Sequence, residues 1–226
     1  MIAKKISGRG RPRQFDLDEA VSTAQHLFHQ RGYDGVGVAE LSQAIGITAP
    51  SLYSAFGSKR QLFEQALQRY AKDCGQWLPE ALQSGKTVDA AISNLFARAA
   101  EVYGAHSLQR GCLVLEGTRN CTDAEACALS SKFQQATRDL VRSRIAEHYA
   151  EIADVLTNYA IVVLKGLSAA AKDGATQAEL IDVARIAANG FSAVARESVE
   201  DCGHSGGSLA GKASPFVTGQ REENSD

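Results

Sequence analysis

No run of about 18 uncharged apolar residues occurs in this chain of 226 residues, so no membrane-spanning helix and no membrane partner is expected. Lys4 and Lys5 are not followed by an apolar stretch, which argues against a secretory signal. Strand-like alternation of apolar and polar residues is almost missing, and no internal repeat is found. A Gly-rich phosphate loop and a His-Glu-x-x-His pair are both lacking. Cysteines are few and odd in number (Cys74, Cys112, Cys121, Cys127, Cys202), and without an export signal they are read as reduced thiols of a cytoplasmic protein. Their spacing fits no zinc pattern, so neither a metal site nor a cofactor is expected. An enzyme would have to pair a cysteine with His26, His29, His106 or His148, and no nucleophile–base–orienter spacing is recognisable. No catalytic residue is assigned.

Acid is absent from residues 1–14, which carry Lys4, Lys5, Arg9, Arg11 and Arg13. From residue 200 onward the balance reverses, with Lys212 and Arg221 facing Glu200, Asp201, Glu222, Glu223 and Asp226. A basic arm on a near-neutral body suits a polyanion, although a solubilising tail would carry the same charge. Within it, Arg9-Gly10-Arg11-Pro12 is similar to the core of an AT-hook. An extended strand of this kind fits a narrow minor groove, where Arg9 and Arg11 would sit.

What the chain has in quantity is helix signal. At 44% hydrophobic it can bury one large domain, or a small one plus a larger one. Asp16 with Glu19 forms a capping-box variant, followed by Val21, Ala24, Leu27 and Phe28 at helical spacing; this predicts a helix over 17–31, stopped by Gly32. A short helix over 38–45 ends at Gly46. Ser58 with Gln61 starts another, predicted to run toward Trp77 and Pro79. Further helices fit 87–105, 124–148, 153–173 and 177–199. Residues after Cys202 are small, polar and unpatterned, and are read as disordered. The fold class is all-α.

"GITAPSLYSAFGSKRQL", residues 46–62, completes a helix-turn-helix. Gly46 gives the turn its freedom, Thr48 is placed to cap the next helix, and Pro50 in the first turn costs no helical hydrogen bond. Leu52 and Phe56 can pin one face inward, leaving Thr48, Ala49, Ser51 and Tyr53 outward. A short stiff helix of this type can enter a major groove, with Lys59 beside the phosphate backbone. A helical hairpin in an ordinary bundle has the same pattern.

The block from Phe15 to Leu67 resembles the N-terminal domain of TetR-type transcriptional regulators. The most specific part is the Gly-Ile-Thr turn, then Ser-Leu-Tyr, Phe, and Ser-Lys with Leu three on. The resemblance implies base and backbone contacts for Thr48, Ala49, Pro50, Ser51 and Tyr53, and a phosphate contact for Lys59. Gly37 departs from the pattern, standing where the family usually has a capping Thr or Ser that touches a phosphate. The implied organisation is a basic arm (1–14), a three-helix DNA-binding domain (15–60), a C-terminal helical domain for effector binding and dimerisation (61–202), and a tail (203–226). The implied function is a ligand-responsive repressor that binds a palindromic double-stranded DNA operator as a homodimer and is released by a small-molecule effector.

In that family the last two helices pack against their copies. Here they carry Val162, Leu164, Leu167, Ala170, Leu180, Val183, Ala187, Phe191 and Val194, a set that fits an intramolecular core nearly as well. For the effector pocket, Glu116 and Arg119 lie beside an apolar run and could orient a ligand, with Phe96, Tyr103, Phe133 and Tyr159 as walls. A surface ion pair and ordinary core aromatics account for the same residues. Cys112, Cys121 and Cys127 raise an alternative, a thiol- or metal-sensing regulator.

Overall fold

The computed structural model describes residues 15–73, 75–105 and 109–204, the last seven of these as backbone only. Among the described residues every regular element is a helix. The basic arm with Arg9 and Arg11, His106 and the acidic tail beyond His204 lie outside them.

Local chemistry sets the first four elements. Asp16 Oδ1 accepts the amides of Asp18 (2.7 Å) and Glu19 (3.4 Å) to open α1 (Leu17–Arg31). Helix α2 (Val38–Ile45) closes on Gly46, whose φ of +77° is left-handed, and the Ile47 amide then reaches back to the Ser42 carbonyl at 2.9 Å. Helix α3 (Ala49–Phe56) follows, then α4 (Lys59–Asp73). The Gln61 amide donates to Ser58 Oγ at 3.1 Å, as the capping pattern predicts. These helices close over one core in which Phe28 meets Phe63 edge-on at 5.0 Å, with Leu41, Leu52 and Phe56 buried beside them. Burying an aromatic of this size stabilises by roughly 1.5–3 kcal/mol.

The second half comprises α5 (Trp77–Ser84), α6 (Val88–Gly104), α7 (Leu113–Glu116), α8 (Ala124–Ala146), a 3-10 turn (Ala150–Ile152), α9 (Ala153–Lys172) and α10 (Gln177–His204). Helix α6 is the hub, packing on α5, α9 and α10, while α8 lies along α9. The predicted helix from Ser58 to Trp77 is corrected: α4 stops at Asp73, and α5 starts at Trp77. Pro79 has no amide to donate to the Gly75 carbonyl, so a continuous helix would lose a bond there, whereas the first turn of a new helix tolerates it. Helix α7 has no advance signal, and α10 extends past the predicted 199.

One helix bears on the expectation that nothing spans a membrane. By length and composition Ala150–Lys172 is long and apolar enough to cross one, although Glu151, Asp154, Lys165 and Lys172 lie along it. Its apolarity has two faces. Leu156, Ala160, Leu164, Leu167 and Ala171 are buried in the bundle, whereas Val155 and Val162 are 64% and 67% exposed. On α10, Leu180, Ala184 and Phe191 are buried, while Val183 and Ile186 are exposed at 53% and 64%.

The two halves are joined by hydrogen bonds. The Tyr33 amide donates to the Gly117 carbonyl at 2.7 Å, and Tyr33 Oη to Asp123 Oδ2 at 3.1 Å. Asp34 Oδ2 accepts the Thr122 amide at 2.9 Å. His29 Nε2 faces the Gly111 carbonyl at 3.2 Å, and Lys172 Nζ donates to the His29 carbonyl.

Candidate nucleic-acid interface and ligand cleft

Helix α3 is short and capped, and it is buried on one side only. Thr48 Oγ1 accepts the Ser51 amide at 3.4 Å and lies 2.9 Å from Ser51 Oγ. Leu52 and Phe56 are buried against the head. Thr48, Pro50, Ser51 and Tyr53 lie on the exposed side, with Ala49 half-buried. Tyr53 is 49% exposed, an aromatic side chain that contributes little to the core. A face so built offers hydroxyls, a methyl and a phenol to a groove at little conformational cost.

Lys59 opens α4 beside this face. Its ammonium sits 4.0 Å from the centre of the Tyr33 ring, and burial holds its pKa below the usual lysine value, against the pull of Asp34. The cation is thus turned toward the joint rather than straight outward. At the start of α2, Gly37 (φ −87°, ψ 158°) caps without a side chain, and a Cβ added there would meet nothing within 4 Å.

A cleft of about 460 Å³ opens in the second half, between the end of α4 and α5, α6, α7, α8 and α9. Its size is that of ordinary small-molecule sites. Tyr103 and Phe133 line it, as do Tyr70 and Cys112. Trp77, the chain's one tryptophan, stands edge-on to Tyr103 at 5.8 Å.

The other four pocket candidates lie elsewhere. Phe96 is fully buried and meets Tyr159 at 6.4 Å, and Tyr159 Oη donates to the Ala187 carbonyl at 2.9 Å, so this pair fastens α6, α9 and α10 together. Glu116 is buried under the joint. Its Oε1 accepts from Ser168 Oγ and its Oε2 from Arg119 Nη1, each at 3.1 Å, and Ser168 Oγ accepts the Cys112 amide at 3.0 Å. Gly111 threads this knot at φ +76°, where a Cβ would come within 2.8 Å of the Ser168 carbonyl. Glu116 is turned toward Ser168 of α9 and Arg119 pairs with it from the surface, so the two secure a loop and do not line the cleft. Sequence reasoning missed Tyr70, Trp77, Arg138 and Lys165 as cleft residues. Tyr70 falls at helical spacing with Leu62, Phe63, Ala66 and Leu67, as any core residue of α4 would, and nothing in spacing marks the others.

Burial pushes the Cys112 thiol up, and burial likewise raises Cys121 to about 11, beside Asp34 Oδ1 at 3.4 Å. Cys127 Sγ donates to the Cys121 carbonyl at 3.6 Å. Among the described residues no group of three His, Cys, Asp or Glu could hold a metal ion.

A family model described as "Bacterial regulatory proteins, tetR family" matches residues 20–66. The chain is 34% identical over 198 residues to the HTH-type transcriptional repressor BdcR of Escherichia coli K12, covering 87% of this chain and 100% of that protein. It is 32% identical over 197 residues to the HTH-type transcriptional repressor ComR of the same strain, covering 78% and 89%. Among solved structures, a cysteine mutant of the TetR family transcriptional regulator CifR, complexed with a 26-bp double-strand operator DNA, superposes with a TM-score of 0.72 at 31% identity, covering 79% of this chain and 98% of that one. An exposed, capped reading helix on a three-helix head, carried by an all-α second half, defines a helix-turn-helix DNA-binding transcriptional regulator. The chain belongs to the TetR family.

Proposed function

We propose that the protein is a repressor that binds a palindromic operator as a homodimer and leaves it when a small molecule occupies the cleft. The observation that carries the reading is α3: a helix too short to be stable alone, capped by Thr48 and held by Leu52 and Phe56, with Tyr53 turned to solvent. In this reading Thr48, Ala49, Pro50, Ser51 and Tyr53 meet bases and backbone, Lys59 swings from Tyr33 to a phosphate, and Arg9 and Arg11 enter the minor groove. Residues 1–14 serve as arm, 15–60 as reading head and 61–202 as effector and dimer domain.

Dimerisation is supported by the outer faces of α9 and α10, where Val155, Val162, Val183 and Ile186 are exposed together with no apolar cover from their own bundle. The relatives named as repressors support the direction of regulation. Thiol or metal sensing through Cys112, Cys121 and Cys127 is the weaker reading, because two of the three thiols are held well above the range in which they ionise. The test is fluorescence anisotropy of the purified protein on DNA from upstream of its own gene. Tight, salt-dependent binding at two protomers per site, lost on scrambled DNA, is expected; equal binding to both DNAs would overturn the reading.

A further inference from the structure

Resting on the reading of the cleft as the effector site, we propose that its ligand is an organic acid, a carboxylate on an apolar body. The walls are largely carbon: Tyr70, Tyr103, Phe133, Ile161 and Leu164, with Trp77 at one side. Among the described residues the charged groups lining the cleft are Arg138 on α8 and Lys165 on α9, and no carboxylate lines it. Neither cation forms an ion pair among the described residues. Arg138 Nη2 donates to a neutral oxygen, Asn158 Oδ1, at 2.6 Å. The nearby carboxylate of Asp154 is held in contact by Arg142 at 2.7 Å, which pulls its pKa down, with Arg138 adding a smaller pull from farther off. Every other arginine between Arg138 and the end of α8 has an acidic partner: Arg142 with Asp154, and Arg144 with Glu147.

Two cations with no acid in direct contact among the described residues, one on each of two neighbouring helices, form a positive rim over an apolar floor. Asn158, the Arg138 partner, and Lys165 are seven residues apart on α9, about 10 Å along its axis, so the two charges sit at separate points of the α8–α9 seam. An anion at either point gains a charge-assisted hydrogen bond, while its apolar part displaces water from the aromatic walls. A cationic ligand would meet repulsion at both points, and a neutral one would gain only the apolar part.

Trp77 makes the idea testable without a label, since the chain's only tryptophan lines the cleft. The full-length protein is titrated with octanoate, 1-octanol and octylamine, following Trp77 emission, and the same ligands are then added to the operator complex. Octanoate is expected to bind tightest and octylamine weakest. Arg138→Gln or Lys165→Gln should lower octanoate affinity about ten-fold and leave 1-octanol unchanged. Both side chains reach solvent, so unchanged melting of the free variants will confirm that the fold is kept. No Trp77 response to octanoate, or 1-octanol binding as tightly as octanoate, would overturn the proposal. Octanoate binding without release of DNA would uphold the acid site and overturn the release mechanism; release by 1-octanol with no preference for octanoate would do the reverse.

Discussion

Individual residues of the reading head divide into those that hold α3 and those that it displays. Thr48 does the first by capping, so Thr48→Ala should destabilise the head by about 1 kcal/mol as well as weaken binding. Tyr53 does only the second, so Tyr53→Ala should weaken operator binding and leave the circular dichroism spectrum and melting temperature unchanged. Lys59→Ala should weaken binding to all sequences and reduce the log-affinity versus log-salt slope by about 1. Full affinity in both of these variants would remove α3 and its neighbour from the interface. Much of this was legible in the sequence, because caps, left-handed glycines and prolines act locally: Asp16, Gly46, Thr48 and Ser58 do what their types require within a few residues. Glu116 was not legible in the same way. Arg119, three residues on, was within reach of the sequence as an ion-pair partner, whereas Ser168 depends on how α7 meets α9, and chain spacing does not encode that. His29 is another such residue, and it makes the joint sensitive to acid. Burial, then Lys172, lowers its pKa from 6.5 to about 4, so folded protein keeps it neutral with Nε2–H toward the Gly111 carbonyl. The unfolded chain takes up the proton first as pH falls through 6.5, so stability should be full above that pH. It should then drop by up to about 1.4 kcal/mol per pH unit until about 4. Urea melts of wild type and His29→Gln at pH 7.5, 6 and 5 check this, the variant losing less stability on acidification.

At the scale of elements, periodicity located the helices but could not say which side of each met which neighbour. Val162 and Leu164 stand two residues apart on α9, both apolar, and only the bundle assigns Leu164 to the core and Val162 to the outside. The same holds on α10, where Val183 is exposed and Phe191 is buried. The break between α4 and α5 was harder to foresee, since the apolar pattern runs on to Trp77 and Leu78; Pro79 was the available clue. The outer faces lead to a clear expectation. An aspartate buried without a partner in a protein interface costs several kcal/mol, so Val162→Asp or Ile186→Asp should weaken self-association by about a hundred-fold or more. Each protomer should stay folded, because neither side chain supports its own core. Analytical ultracentrifugation checks the mass and circular dichroism the fold. A variant that remains dimeric would place the interface elsewhere.

For the whole molecule the question is how a ligand in the second half could reach α3. Two elements span the distance. Helix α4 carries Lys59 at its start and Tyr70 and Ala71, which line the cleft, near its end. Helix α8 lines the cleft with Phe133 and Arg138, while its N-cap, Asp123, holds the Tyr33 hydroxyl beneath Lys59. Helix α4 is the connection that chain order makes visible; α8 is the second, and its link through Tyr33 could not be read from the chain because those residues are ninety apart. A ligand that fits better when these helices tilt would move both heads of a dimer. Two reading helices serve successive major grooves only when held about 34–36 Å apart. The ligand then weakens DNA binding by its differential affinity for the two arrangements, with no contact between ligand and DNA. Coupling of this kind is reciprocal, typically about 5–150-fold in either direction. Operator should therefore lower effector affinity, read from Trp77, by the same factor as effector lowers operator affinity, read from anisotropy, while light scattering shows a dimer throughout. Effector that binds equally well with and without operator, or that splits the dimer, would exclude a tilting lever as the switch.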